Sequence, residues 1–411
     1  VESTSRNEHI QGYAVGEERH VSCLCVDVLD STATGLAMDG WLRREFFQAI
    51  AEHLRPYLEA FELCDATVKF TGDGWLIMQP GEKATRQLAA LAKTLCSRFQ
   101  VDIIGRLDGR VTNIPGIRST LFTGTDIAVA VPLGCDDASR HLDWVGDSAR
   151  LANRYNCCCE ENSLLVDYTA YRTLHLDFQC QQLDLDALPP GRKPKRMEEK
   201  VVCYVVGDLN QDLAERVQTE SSQRYRYYAT YLSLVGEATR ADALAEAIHL
   251  AVEAEVEEQH VRPEAFTDAE RRDLQDALVD LLLVTQPGAT RNTVLASLQK
   301  AGREIHVETY NQLLARTIDY ESARQWYSEL VAQRVKPDVF TFGRLINLAP
   351  DYESAKHWYD LMVEAGVEGN VITFSTLINR ALDYESAKHW YDLMVEAGVE
   401  GNVITFSTLI N

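Results

Sequence analysis

From Val307 onward the chain repeats itself. Val307, Val339, Val371 and Val403 open successive units, and residues 351–379 are identical to residues 383–411. A period of about 32 residues marks a supersecondary unit that cannot bury its apolar face alone, so neighbouring units must stack. Each unit reads as a helix (Val-Ile-Thr-Phe-Ser-Thr-Leu-Ile-Asn), a turn, a second helix (Asp-Tyr-Glu-Ser-Ala-Lys-His-Trp-Tyr-Asp-Leu-Met-Val-Glu-Ala) and a Gly. The prediction for 307–411 is an all-α solenoid of helix pairs. Tyr320, Tyr352 and Tyr384, with Trp326, Trp358 and Trp390, recur at the same period. They are assigned to the core between repeats, because large amphipathic rings serve packing best there.

Residues 1–306 have no such period. Residues 1–17 are polar and read as an N-terminal arm. Residues 18–208 alternate strand-like and helix-like patterns, with helical spacing at Gly40 to Leu54 and at Thr85 to Phe99. Residues 209–306 read as a helical linker domain, with breaks near Val261-Arg-Pro and Gln286-Pro-Gly. A length of 411 residues suits two to three domains. The formal charge of −22 disfavours a general binder of nucleic acid or of anionic membranes. No apolar run approaches the roughly 18 residues of a membrane span, and the N-terminus lacks a secretory apolar core. Ten cysteines lie without regular pairing, three of them in the run Cys157-Cys158-Cys159, which is poor geometry for one metal ion. Reduced thiols and a cytoplasmic location are expected.

The chemistry concentrates in two short strings. Val21-Ser-Cys-Leu-Cys-Val-Asp27-Val is apolar enough for a buried central strand that delivers Asp27 at its end. Ala66-Thr-Val-Lys-Phe-Thr-Gly-Asp73-Gly-Trp-Leu-Ile-Met reads as a hairpin about a Gly-Asp-Gly tip. Two carboxylates on neighbouring strand ends suit divalent cations against a polyphosphate, since Mg²⁺ takes one or two carboxylates and fills its shell with water and phosphate oxygens. Ser31 and Thr32 follow in a polar turn whose backbone amides, over residues 28–32, are expected to cradle phosphate. A basic loop, Arg192-Lys193-Pro-Lys195-Arg196, precedes a last strand and offers a further cation for the phosphates.

Four motifs in order resemble the class III nucleotide cyclase catalytic domain, the domain of adenylate and guanylate cyclases. They are Asp27-Val-Leu-Asp-Ser31-Thr32, Lys69-Phe-Thr-Gly72-Asp73, Arg118-Ser-Thr-Leu-Phe-Thr-Gly124, and Asp143-Trp-Val-Gly146 with Arg150 and Arg154 behind it. The resemblance covers about residues 18–208. It implies an α+β fold, a ferredoxin-like palm of antiparallel strands with helices on one face. It also implies conversion of a nucleoside triphosphate to a 3′,5′-cyclic nucleotide second messenger and pyrophosphate, with two Mg²⁺ or Mn²⁺ ions. By the same resemblance Asp27, Val28 and Asp73 are the metal-binding residues, and Arg154 meets charge on the α-phosphoryl group. Lys69 and Asp143 select the base. Ser31, Thr32, Arg150, Lys193 and Lys195 are placed at ribose and phosphate.

The chain departs from the family pattern at Asp30, where the family has Gly, and at Arg150, where it has a ribose-orienting Asn. A Lys donor paired with an Asp acceptor favours adenine over guanine. Cytosine also offers a ring acceptor beside an amino donor, and a displaced Lys could reach a uracil carbonyl. ATP is therefore the favoured substrate, and UTP or CTP stays open, as in the bacterial pyrimidine cyclases of the Pycsar anti-phage type. The resemblance further implies a homodimer, one protomer supplying the two Asp and the other the base pair and the arginine. A degenerate cyclase fold kept as a nucleotide sensor or scaffold is the reading from another class. Retention of Asp27, Asp73, Lys69, Asp143 and Arg154 weighs against it.

Val-x-Thr-Tyr-Asn-x-Leu-Leu at 307–314 and Val-Lys-Pro-Asp at 335–338 resemble pentatricopeptide repeats, although that family's unit is usually slightly longer. Such arrays bind single-stranded RNA. Here residues 307–411 carry 15 acidic and 8 basic side chains, a balance of −7, which is the wrong sign for phosphate. A protein partner on the repeats is expected instead, with no RNA and no membrane.

Overall fold

The structure, a computed structural model, describes residues 9–10, 13–107, 109–111, 113–132, 140–194, 201–210, 214–217, 222–259, 267–285, 288–302, 305–317, 319–401 and 405. Most of the arm at 1–17, Lys195 and Arg196 of the basic loop, and the unit opened by Val403 lie largely or wholly outside those residues. The chain forms two compact units, one of Val1–Glu255 with Arg262–Gln286 and one of Val256–Val261 with Pro287–Asn411. Among the described residues no helix is long and apolar enough to cross a membrane.

The first unit is built on a sheet of eight strands among the described residues. β1 (Glu18–Val28) is followed by α1 (Ser31–Leu36), α2 (Gly40–His53), β2 (Thr67–Phe70) and β3 (Gly74–Pro80). Then come α3 (Ala84–Arg106), β4 (Ile117–Pro132), β5 (Arg140–Gly146), α4 (Asp147–Tyr155) and β6 (Ser163–Asp167). α5 (Tyr168–Leu174), β7 (Phe178–Gln182) and β8 (Cys203–Leu209) complete the sheet region. The strand order is β2-β3-β1-β4-β6-β8-β7, with β5 paired to β4 off that path. The stretch β2-β3-β1-β4 is fully antiparallel and has the ferredoxin-like order. β4 and β6 run parallel.

Alternation along β1 and β4 sorts the two faces. Ser22 meets Thr85 of α3 (Oγ to Oγ1, 2.8 Å), and Cys96 of α3 contacts Ser119. On the other face Thr120, paired with Cys25, donates its hydroxyl to the Ala152 carbonyl of α4 at 2.7 Å. Successive side chains of a strand point to opposite faces, so α3 and α4 cover opposite sides. This differs from the expectation of helices on one face. The apolar character of Cys23, Cys25, Phe122 and Met78 requires a cover, which α4 and β5 supply with Ala152, Tyr155, Leu142 and Trp144.

The segment after 209 continues the same unit. α6 (Ala214–Val217), α7 (Ser222–Val235), α8 (Ala238–Gln259) and α9 (Asp268–Leu282) follow β8, and α7 packs on both α3 and α9. Thr267 caps α9 through a reciprocal bond with Glu270, a capping box that explains where the helix begins.

The second unit carries α10 (Ala289–Lys300) and the helix pairs α11 (Val307–Arg316)–α12 (Tyr320–Ala332), α13 (Val339–Leu348)–α14 (Tyr352–Glu364) and α15 (Val371–Arg380)–α16 (Tyr384–Glu396). The repeated Asp of each unit is an N-cap. Asp319, Asp351 and Asp383 accept from the amides of Ser322, Ser354 and Ser386 at 2.8, 2.7 and 2.8 Å. The aromatic pair is a tether between units. Trp358 Nε1 donates to the Tyr320 hydroxyl at 2.9 Å, and Trp390 Nε1 to that of Tyr352 at 3.0 Å. The tryptophans are buried, as their period implies, while Tyr384 is 63 % exposed.

Two measurements check this packing. Tyr352→Phe should cost about 1 kcal/mol and raise amide exchange in α15 and α16 while leaving α11 unchanged, as hydrogen-exchange mass spectrometry would read. His53 is buried among Tyr57, Trp75 and Phe99, and burial pushes its imidazole down to about 4, against an opposing pull from Asp102. The native state then binds no proton there between about pH 6.5 and 4 while the unfolded chain does. Stability falls as pH drops through that window, by up to about 3 kcal/mol. Denaturant midpoints at pH 7 and pH 4.5 should show a loss that is reduced in His53→Phe.

Candidate active site

Three strands meet at Asp27. β1 pairs Asp27 with Gly74 of β3 on one side and with Arg118 of β4 on the other. A Cβ at Gly74 would stand 2.0 Å from the Val26 carbonyl oxygen and 3.0 Å from Asp27 Cα. Only glycine admits that approach, and it brings Asp73, the preceding residue, beside Asp27. The backbone closes the contact, with Val28 N donating to Asp73 O at 3.0 Å. Gly72 turns the hairpin at φ +105°, a left-handed conformation that suits glycine.

Each carboxylate has a partner. Ser31 Oγ donates to Asp73 Oδ2 at 2.8 Å, and Arg118 Nη2 donates to Asp27 Oδ2 at 2.8 Å. Burial pushes the Asp27 carboxyl above the ordinary range, Arg118 opposes that, and the charge of Asp73 adds to it. A second positive charge near this pair would therefore be welcome. Asp30 holds φ +45° as the residue before α1, and its exposed side chain makes no cap bond. That backbone accounts for a Gly at this place in the resembling family. Two of the five amides expected to cradle phosphate are already used, Val28 N by Asp73 O and Leu29 N by Gly116 O, which leaves those of residues 30–32.

A second group lies on the α4 face of the sheet. Lys69 of β2 forms an ion pair with Asp143 of β5, whose other oxygen accepts from Trp144 N at 2.8 Å. Asp143 is nearly buried and Lys69 partly so. Thr67 Oγ1 reaches the Leu142 carbonyl at 3.4 Å, so β5 folds back over β2. The two residues chosen as the base-selecting pair thus face each other from strands 74 positions apart.

α4 carries the arginines. Ser148, Ala152 and Tyr155 form its buried side, and Arg150 and Arg154, four residues apart, share the exposed one. Arg150 is held by Asp147, its Nε and Nη2 donating to Oδ1 at 3.0 and 2.7 Å. The Arg154 side chain makes no hydrogen bond or ion pair among the described residues. The start of α4 is fixed by Asp126 of β4, fully buried, which accepts from Ser148 N at 3.3 Å and from the Ser148 hydroxyl. A Cβ at Gly146 would lie 2.1 Å from Asp126 Oδ1, so the Gly of Asp-x-x-Gly makes room for this carboxylate. Sequence reasoning did not select Asp126. Its signal was a lone acid inside an otherwise apolar run, Thr-Asp126-Ile-Ala-Val-Ala-Val.

Behind Asp27 a cavity of about 390 Å³ is lined by Leu29, Arg118, Cys159, Glu160, Glu161 and Arg192. Arg192 is braced by the Cys158 carbonyl at 2.7 Å and by Glu160 at 3.3 Å. Both Arg118 Nε and Arg192 Nε are buried with no partner among the described residues. Lys193 instead donates to the Asp186 carbonyl at 2.7 Å. Arg192 is one of the basic-loop cations expected near the phosphates, and Arg118, given no role from the sequence, bonds Asp27; both line this cavity. The described cysteines are free thiols, and burial pushes Cys25, below Asp27, up to about 12.

Among the described residues, no bond joins the Asp27–Asp73 group to the Lys69–Asp143 group or to Arg154. A profile for the pentatricopeptide repeat domain matches residues 358–411. No curated protein matches the chain. Among solved structures, the adenylyl cyclase CyaB from P. aeruginosa is similar over 48 % of this chain and 98 % of its own, at 14 % identity and a TM-score of 0.41. The guanylyl cyclase Cya2 matches over 48 % and 96 %, at 13 % identity and 0.39. The guanylate cyclase domain of RhGC from Catenaria anguillulae, in complex with GTP, matches over 47 % and 100 %, at 16 % identity and 0.37.

The close approach at Gly74 gives a direct test. Gly74→Ala should destabilise the first unit by about 3 kcal/mol and separate Asp73 from Asp27. Chemical denaturation would show the lost stability, and an unchanged midpoint would contradict the contact.

Proposed function

We propose that the first unit cyclises a nucleoside triphosphate to its 3′,5′-cyclic monophosphate and releases pyrophosphate. The observation that carries this reading is the pair Asp27 and Asp73, locked side by side by Val28 N and Gly74, with two arginines against a cavity next to them. Two hard oxygen donors suit Mg²⁺ or Mn²⁺. No group of three or more His, Cys, Asp or Glu fit to hold a metal occurs among the described residues, so water and phosphate oxygens would complete the shell. Bound there, the two ions would supply Lewis-acid activation of the ribose 3′-hydroxyl and neutralise phosphate charge.

The chain's own side chains account for the rest. In the reaction the 3′-oxygen forms a bond to the α-phosphorus, the bond from that phosphorus to the bridging oxygen of the β-phosphate breaks, and the hydroxyl proton leaves to solvent. Arg118 orients the Asp27 carboxylate and opposes the upward push that burial and Asp73 exert on it. Arg118 and Arg192 present guanidinium groups to the triphosphate tail, where forked donors match phosphoryl oxygens. Arg154, exposed and unbonded among the described residues, is available for charge growing on the α-phosphoryl oxygens.

Lys69 and Asp143 would read the base. Their ion pair offers a donor and an acceptor side by side, the complement of the N1 and 6-amino group of adenine. Cytosine presents the same order, so ATP leads and CTP or UTP follows. Asp147 holds Arg150, expected at ribose and phosphate, on the exposed side of α4. Among the described residues no bond joins the metal pair to the base pair or to Arg154, and a C2 homodimer that sets one protomer's carboxylates against the other's Lys69, Asp143 and Arg154 completes the reading.

Incubation with Mn²⁺ and each of ATP, GTP, CTP and UTP should yield one cyclic nucleotide, matched to 3′,5′ standards. Asp27→Ala should cut turnover by about 10³-fold with the far-UV spectrum intact. Product formation unchanged in that variant would overturn the assignment. Lys69→Glu should shift the preference among the four bases without removing the chemistry.

A further inference from the structure

Asp177, just before β7, has no exposed surface. Three arginines from three segments converge on it. Arg86 of α3 donates from Nε to Oδ2 at 3.1 Å, Arg216 of α6 from Nη2 to Oδ1 at 3.1 Å, and Arg224 of α7 pairs with Oδ1. Beside this junction lies a cavity of about 200 Å³, lined by Glu82, Lys83, Arg86, Gln223, Arg224 and Tyr227. Three of its six lining residues are cations and one is an acid. With Asp177 and Glu82 set against Arg86, Arg216, Arg224 and Lys83, the junction and its recess keep a positive balance in a chain of net charge −22.

We propose that this recess is an oxyanion site, taking a phosphate or the phosphoryl group of a nucleotide, and that it is separate from the candidate active site. Small-molecule pockets begin at about 300 Å³. The recess is smaller, which suits one phosphoryl group and not a whole nucleotide. The donor set is of the right kind. Arg86 uses only Nε on Asp177, and its two terminal nitrogens carry no other bond among the described residues. Lys83 adds an ammonium and Gln223 a neutral amide, while the Tyr227 hydroxyl is shared with Glu62. The recess opens at the start of α3, a helix of 23 residues whose positive dipole end adds to the same field.

The position gives the site a consequence. α3 packs beneath β1 through Thr85 and Ser22, and β1 carries Asp27 one residue before its end. An anion bridging Lys83, just before α3, and Arg86 on α3 to Arg224 on α7 would tie the helices after 209 to the strand that carries the candidate centre.

Calorimetric titration of the full chain with inorganic phosphate, and in parallel with AMP, tests this in EDTA, where no divalent ion can recruit either ligand to Asp27 and Asp73. One saturable site per chain is expected, and the tighter of the two ligands identifies its source. Lys83→Glu and Gln223→Glu line the recess without touching Asp177, and each should weaken binding about tenfold or more. Arg192→Gln, in the other arginine-lined cavity, should leave it unchanged. Absence of saturable binding to the parent chain overturns the proposal. So does binding that survives both recess variants, or that Arg192→Gln removes. Circular dichroism of each variant separates lost binding from lost fold.

Discussion

Gly74 lets strand β3 lie against β1 with no side chain between them, and that absence organises the candidate centre. With the Val26 carbonyl 2.0 Å from where a Cβ would stand, the hairpin tip is drawn in until Val28 N can bond Asp73 O. Two carboxylates then sit together that would otherwise repel. Part of the cost shows in the upward push on Asp27 from burial and from Asp73. Part is offset by single donors, Ser31 for Asp73 and Arg118 for Asp27. The centre is thus held by backbone geometry and left electrostatically short of positive charge, a condition under which a cation and a phosphate tail gain most.

The same logic, a carboxylate admitted by a missing side chain, sets the start of α4. Gly146 yields space to Asp126, and Asp126 caps α4 from a neighbouring strand. A helix fixed at its start carries its exposed face in a set direction, so Arg150 and Arg154 inherit their placement from a buried acid on β4. Arg150 is then tied down by Asp147 and Arg154 is not. Two arginines four residues apart have different freedom, and the difference comes from the helix's own first residue, Asp147.

Much of this was legible in the residues. The run 21–28 reads as a buried strand because it is apolar and partly β-branched, and it is a central strand of the sheet. The Gly-Asp-Gly tip reads as a turn because only glycine tolerates the backbone there, and Gly72 has φ +105°. The repeat reads as helix pairs because period and capping agree, with Asp319, Asp351 and Asp383 each at an N-cap. What was not legible depends on contacts distant in sequence. Lys69 and Asp143 were linked by resemblance, and no local pattern shows that β5 folds back over β2. Arg192 and Lys193 are adjacent cations in one loop, yet one lines the cavity and the other bonds a carbonyl. Asp126 and Asp177 were passed over because a single acid gives no periodic signal, and burial is what makes each matter.

The two halves of the chain are built on different patterns of contact. In the repeats one tether recurs, Trp to the Tyr of the preceding unit, and each unit needs only its neighbour. Copying of 351–379 without change as 383–411 is tolerable in such an array, because the copied unit brings its own half of every contact. The sheet unit allows no such copying. Its key pairs, Asp27 with Arg118, Lys69 with Asp143 and Asp177 with Arg86, span 91, 74 and 91 positions. Asp177 draws α3, α6 and α7 onto one buried carboxylate, which makes the first helices after 209 part of the sheet unit rather than a spacer. Removing one arginine from that junction would leave a buried charge short of a partner, and such losses are large. The boundary at which length can vary therefore lies beyond α7, on the side of the repeats.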